Sequence, residues 1–179
     1  ESGNRSFWTD CGVRIQGGWN RRPEECPKHS LRLLVRNRYG RPQLEEPVFG
    51  PGGTNHFETL ILRGGCNNTW LHWSGEERLR GDYLRDEWMR ETSAAMGLPS
   101  ARGKFVHLYL NGLYWGLYNL TERPSGPWIA ALQGGPDYDS RNSDKILSGD
   151  TRAWNMMFNL ANRGLAEDAS YRAFAELLD

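Results

Sequence analysis

The sequence is short of lysine, of net charge and of long apolar runs, and each shortage excludes something. Among 22 basic residues only Lys28, Lys104 and Lys145 are lysines. Each lysine therefore stands out, while the arginine total by itself carries little functional weight. Basic and acidic residues balance at 22 each, which leaves no electrostatic footprint for general nucleic-acid binding. No apolar run approaches the roughly 18 residues of a membrane-spanning helix. The opening Glu1-Ser2-Gly3-Asn4 has no basic stretch leading into an apolar one, so no signal peptide is read there. Cys11, Cys26 and Cys66 fit no zinc spacing. They leave two arrangements open, one disulfide with a free thiol or three buried thiols. The phosphate loop G-x-x-x-x-G-K-[ST], the G-x-S-x-G elbow and H-E-x-x-H are also missing. His29, His56, His72 and His107 are scattered and read as structural or solvated.

What is present is aromatic. Mean hydropathy is −0.70 and apolar content 38%, both low for a folded domain. Eight Trp, seven Tyr and six Phe offset this, because each aromatic buries a large area. Disorder throughout is excluded on that ground. A length of 179 residues suits one domain or a piece of something longer.

Residues 11–16 alternate and read as a strand, broken by Gly17-Gly18. Residues 28–35 read as a second strand and 57–62 as a third. One helix is predicted over 78–96, with Leu84, Trp88 and Ala95 on an inward stripe and Glu91 inside it. Gly97 and Pro99 stop it. Asn111-Gly112 between two β-rich runs is the strongest hairpin signal in the chain. The second run ends in Glu122-Arg123-Pro124. Helices are predicted near 128–132, over 151–163 and over 168–178. The stop at Asp179 directly after the last helix reads as a truncation.

This order has a chemical meaning. A glycine turn leads to a strand opening with Lys28, a helix follows with Glu91, and a hairpin runs into a linker at Glu122. That is the order of a protein-kinase small lobe. There a lysine holds the phosphates of ATP, a helix glutamate fixes the lysine, and the linker offers backbone groups to adenine. The plain alternative leaves Lys28 and Glu91 as solvated surface residues.

Several segments resemble the spore-coat protein H (CotH) kinase-like family. They are residues 12–21 (GVRIQGGWNR), 27–32 (PKHSLR), 60–64 (LILRG), Leu84-Arg85-Asp86, Asp137-Tyr138-Asp139 and 149–155. The longest and most specific is the hairpin block 105–124, FVHLYLNGLYWGLYNLTERP. The resemblance implies an α+β fold, with a kinase-like small lobe over 1–124 and the helical start of a large lobe over 125–179. It implies a secreted or surface-associated kinase that uses ATP with Mg2+ or another divalent metal to phosphorylate Ser or Thr on surface or coat proteins. Lys28 matches the family's phosphate-side lysine. Gly17, Gly18, Asn20 and Arg21 match its glycine turn, with Asn20 where a serine is usual. Asp86 matches the Arg-Asp pair on the helix. Glu91 is the expected partner of Lys28, and Glu122 lies at the expected hinge. For Arg63 a structural salt bridge is favoured over phosphate contact. The family's catalytic base and metal-binding aspartates lie downstream of the helices at 151–178, so this chain alone is expected to be inactive. Two other readings remain: a catalytically dead surface or coat interaction module, and a carbohydrate- or protein-binding module using the aromatic surface.

Overall fold

The structure is a computed structural model, and it describes residues 6–50, 54–135 and 138–178. The chain divides into two compact units, Glu1–Pro124 and Ser125–Asp179.

The first unit contains seven strands and two α-helices among its described residues: β1 (Gly12–Gln16), β2 (Ser30–Leu34), β3 (Leu44–Glu45), β4 (His56–Phe57), β5 (Thr59–Arg63), α1 (Gly75–Leu79), α2 (Arg85–Ala95), β6 (Gly103–Leu110) and β7 (Leu113–Glu122). Five strands form one antiparallel sheet in the order β1-β2-β5-β7-β6, so the architecture is α+β. β3 and β4 make a small ribbon of their own. Alternation decides the faces, because strand side chains point to opposite sides in turn. Leu33, Leu60 and Leu120 lie on one face and pack against Val35, Leu44, Val48, Phe49 and Phe57. The segment between β2 and β5, ribbon included, thus covers one half of that face and builds the apolar core. β6 and β7 turn at Asn111 and Gly112, whose φ values of 50° and 80° are those of a tight hairpin turn.

The helix predicted over 78–96 is divided in two. The side chain of Arg85 reaches back to the Arg80 carbonyl at 2.8 Å. The Asp82 carboxylate accepts from the Leu84 amide at 2.9 Å. These contacts turn the chain between α1 and α2 and start α2 anew. Its expected inward stripe faces outward, with Leu84 60% and Trp88 63% exposed. The buried residue of α2 is Glu87.

The second unit holds α3 (Gly126–Gln133), the hairpin β8 (Ser140–Asn142) and β9 (Lys145–Ser148), α4 (Arg152–Arg163) and α5 (Asp168–Ala175). Ser125 caps α3 by accepting from the Trp128 amide at 3.3 Å.

Candidate functional site

Residues paired directly across antiparallel strands share a face. The register therefore lays out the side of the sheet that bears α2. One row across it reads Arg14, Arg32, Ile61, Thr121, Gly103. In the adjoining row Gln16 faces Ser30, and Arg63, Asn119 and Phe105 lie side by side. α2 sits over the β5, β7 and β6 part. The Arg63 guanidinium donates to the Asp86 carboxylate from the first turn of α2. Arg90 donates to Glu87 at 2.5 Å and to the Asn119 side-chain oxygen at 2.6 Å. Asn119 in turn donates to Glu87 at 2.6 Å. The helix is thus docked by charge and amide contacts, and its apolar residues are left outside. Gly103 permits the approach, because a Cβ there would collide with the Glu87 carboxylate.

Lys28 lies at the end of the sheet where β1 gives way to the Gly17-Gly18 turn. Its ammonium donates to the Leu117 carbonyl at 2.5 Å and sits 4.6 Å from the Tyr118 ring and 5.2 Å from the Tyr83 ring. Tyr83 donates to the carbonyls of Arg63 and Leu117 at 2.8 and 3.2 Å, so it ties the start of α2 to this corner. Burial lowers the Lys28 pKa below its ordinary value and raises that of Tyr83 to about 12. Gly116, with φ of 125°, faces the lysine; a Cβ there would lie 3.7 Å from the lysine Cε.

The glycine turn is tied down at several points. The Asn20 side chain donates to Asn67 at 2.7 Å, and its carbonyl meets the His29 ring at 3.2 Å. A disulfide joins Cys26 to Cys66 with a Cα separation of 5.9 Å, while Cys11 is free. Gly17, Gly18 and Arg21 are exposed, and Arg22 stacks over Trp19 at 4.1 Å.

The structure brings the predicted residues together selectively. Lys28 and the glycine turn share one corner, and Asp86 lies across Tyr83 from it. Glu91 is not brought to Lys28: it is exposed on α2 and lines a recess of about 280 Å³ with Phe49, Arg90 and Ala101. Glu122 is buried at 4% exposure and accepts from the Arg102 amide at 2.8 Å. Asp139 accepts from the Asp150 amide at 2.7 Å in a turn, and Asp137 lies outside the described residues. The pairing that sequence reasoning did not put forward is that of Arg63 with Asp86. Its signal was available: a cation closing the strand that precedes α2, and an acid in the first turn of that helix.

Among the described residues no group of three or more His, Cys, Asp or Glu comes together to hold a metal, and no helix is long and apolar enough to cross a membrane. A family model described as CotH kinase protein matches residues 13–159. No curated protein and no solved structure matches the chain.

Proposed function

The chain belongs to the CotH kinase protein family, and on that premise we propose that it carries the ATP-binding part of an atypical protein kinase acting on Ser or Thr of surface or coat proteins. The observation that carries this reading is the ion pair between Arg63 on β5 and Asp86 on α2. Kinases need a strand cation held by a helix acid before the nucleotide phosphates are placed. Here the strand preceding the helix supplies arginine and the helix supplies aspartate. The first unit is read as the small lobe, with Pro124 closing it at the hinge.

ATP supplies the phosphoryl group; the residues here bind and orient it. Lys28 is half-buried and its ammonium contacts a carbonyl and two ring faces rather than a carboxylate. Phosphate oxygens would give that charge its counter-ion. The exposed backbone of Gly17 and Gly18 lies at the same end of the sheet and offers amides to the same oxygens. Glu122 belongs to the end of β7, where it fixes the backbone of Arg102. The divalent ion that accompanies ATP finds no cage of acids among the described residues. The Cys26–Cys66 disulfide supports a secreted or surface location, since such bonds persist in oxidising compartments.

Calorimetric titration of Mg-ATP into the chain tests the reading, with Lys28→Ala and Asp86→Asn beside it. Saturable binding is expected, weakened about tenfold or more in each variant, the scale of one lost charge-assisted contact. Unchanged affinity in Lys28→Ala removes that residue from the site. Absence of binding by the unaltered chain overturns the nucleotide reading in favour of an interaction module.

A further inference from the structure

The half of the helix-bearing face away from α2 carries arginine beside Gly12, which the Tyr39 ring covers, and the buried Leu34. Arg14 and Arg32 stand directly opposite each other on β1 and β2. Arg123 continues the alternation of β7 beyond Thr121. Arg36 lies two residues past Leu34 in extended backbone, with φ of −151°. Like charges facing each other across strands repel. The effect registers on Arg32, whose pKa is pushed down to about 10, first by burial and then by Arg123, Arg14 and Arg36. Burial, followed by Arg14, also lowers that of Arg123. At neutral pH all four stay charged. Arg63, Arg80, Arg90 and Arg152 meet carboxylates; among the described residues Arg14, Arg32, Arg36 and Arg123 do not. The Nε of Arg32 is buried and has no hydrogen-bond partner. Four cations converge, and no acid among the described residues answers them.

We propose that Arg14, Arg32, Arg36 and Arg123 form a binding site for a phosphate-bearing anion, separate from the Lys28 corner. Arginine suits phosphate because its planar fork donates two parallel hydrogen bonds to two oxygens. A doubly charged ligand on the open half would meet the guanidinium groups and screen their mutual repulsion. The register places Arg14 and Arg32 one row away from Gln16 and Ser30, and the glycine turn and Lys28 lie beyond that second row. A ligand held by the quartet is therefore distinct from phosphates held at Lys28. Two sources share this chemistry, a free polyphosphate and a phosphorylated side chain of a protein.

The test is titration of the chain with inorganic pyrophosphate and, separately, with a peptide bearing two phosphoserines. The proteins are the unaltered chain, Arg32→Gln, the double variant Arg14→Gln with Arg32→Gln, and Lys28→Ala, each checked for native circular dichroism. A saturable binding component is expected that persists in Lys28→Ala, is weakened about tenfold in Arg32→Gln and is weakened further in the double variant. The affinity is expected to fall with added salt. The tighter of the two ligands identifies the source. No saturable binding of either ligand, or affinities untouched in the double variant, overturns the proposal. Equal loss in Lys28→Ala overturns it too, by placing the anion at the nucleotide corner. Pyrophosphate bound by a chain that ignores Mg-ATP would leave this site standing and remove the nucleotide reading, so the two fail separately.

Discussion

One face of the sheet handles arginine in two ways. Under α2, Arg63 has Asp86, and Arg90 has Glu87 and Asn119. On β1 and β2, Arg14 has Arg32 opposite it and neither has an acid. The first arrangement holds a helix in place. The second stores repulsion that no part of the described chain relieves. The contrast separates charge positioned by a carboxylate of the fold from charge that has no carboxylate beside it.

The contrast can be tested hardest at Glu87. Its replacement by alanine leaves the Arg90 charge, whose side chain is 16% exposed, without its carboxylate. A loss of about 3–5 kcal/mol in urea unfolding is expected. Replacing Cys26 and Cys66 together by serine should cost about 2–4 kcal/mol; it asks how far the glycine-turn corner depends on a covalent tie where ion pairs are lacking. The Arg63–Asp86 pair, with its side chains 39% and 34% exposed, is only partly desolvated, and Asp86→Asn should lower stability by about 1 kcal/mol or less. Arg32→Met is expected to leave stability within about 0.5 kcal/mol or raise it, since it removes a repelled and partly buried charge. A cost for Arg32→Met rivalling that of Glu87→Ala would erase the distinction between the halves. The smallest effect concerns pH. Tyr83 keeps its proton in the folded state up to about 12, chiefly through burial, whereas the unfolded chain loses it near 10. Its contribution is therefore complete below pH 10 and lost as pH rises toward 12. Tyr83→Phe should flatten that alkaline decline in denaturation curves recorded at pH 9 and 11.

How much of this could be read from residues alone follows from which force does the work in each place. The hairpin was legible because Asn111 and Gly112 have one common use between β-rich runs, and both adopt the positive φ that the turn demands. The strands β2 and β5 were legible from alternation or apolar runs, since Leu33 and Leu60 do enter a core; β1 was legible from alternation alone, because its Val13 and Ile15 stay exposed. α2 was located, but its orientation was misread. A stripe of Leu84, Trp88 and Ala95 signals docking through apolar contact, and this helix docks through Asp86, Glu87 and Arg90. Helical periodicity carries no information about which of two stripes faces in when the buried one is ionic. Glu91 was placed inside for that reason and lies outside. The disulfide was left open because three cysteines at wide spacing do not state which pair meets; folding brings Cys26 and Cys66 together across the turn.

The order β1-β2-β5-β7-β6 places β5 between an early partner and a late one. During synthesis β1, β2 and β5 can pair as soon as Arg63 is clear of the ribosome, yet the second edge of β5 stays bare until Leu113–Glu122 has been made. That edge carries Leu60, Ile61 and Leu62, all buried in the finished protein, and an uncovered apolar edge strand is a template for pairing with another chain. The interval between the two strands is thus the period of greatest exposure to misassembly. Nascent chains halted between Arg63 and Leu113 should associate with one another or with chaperones, and chains halted after Pro124 should not.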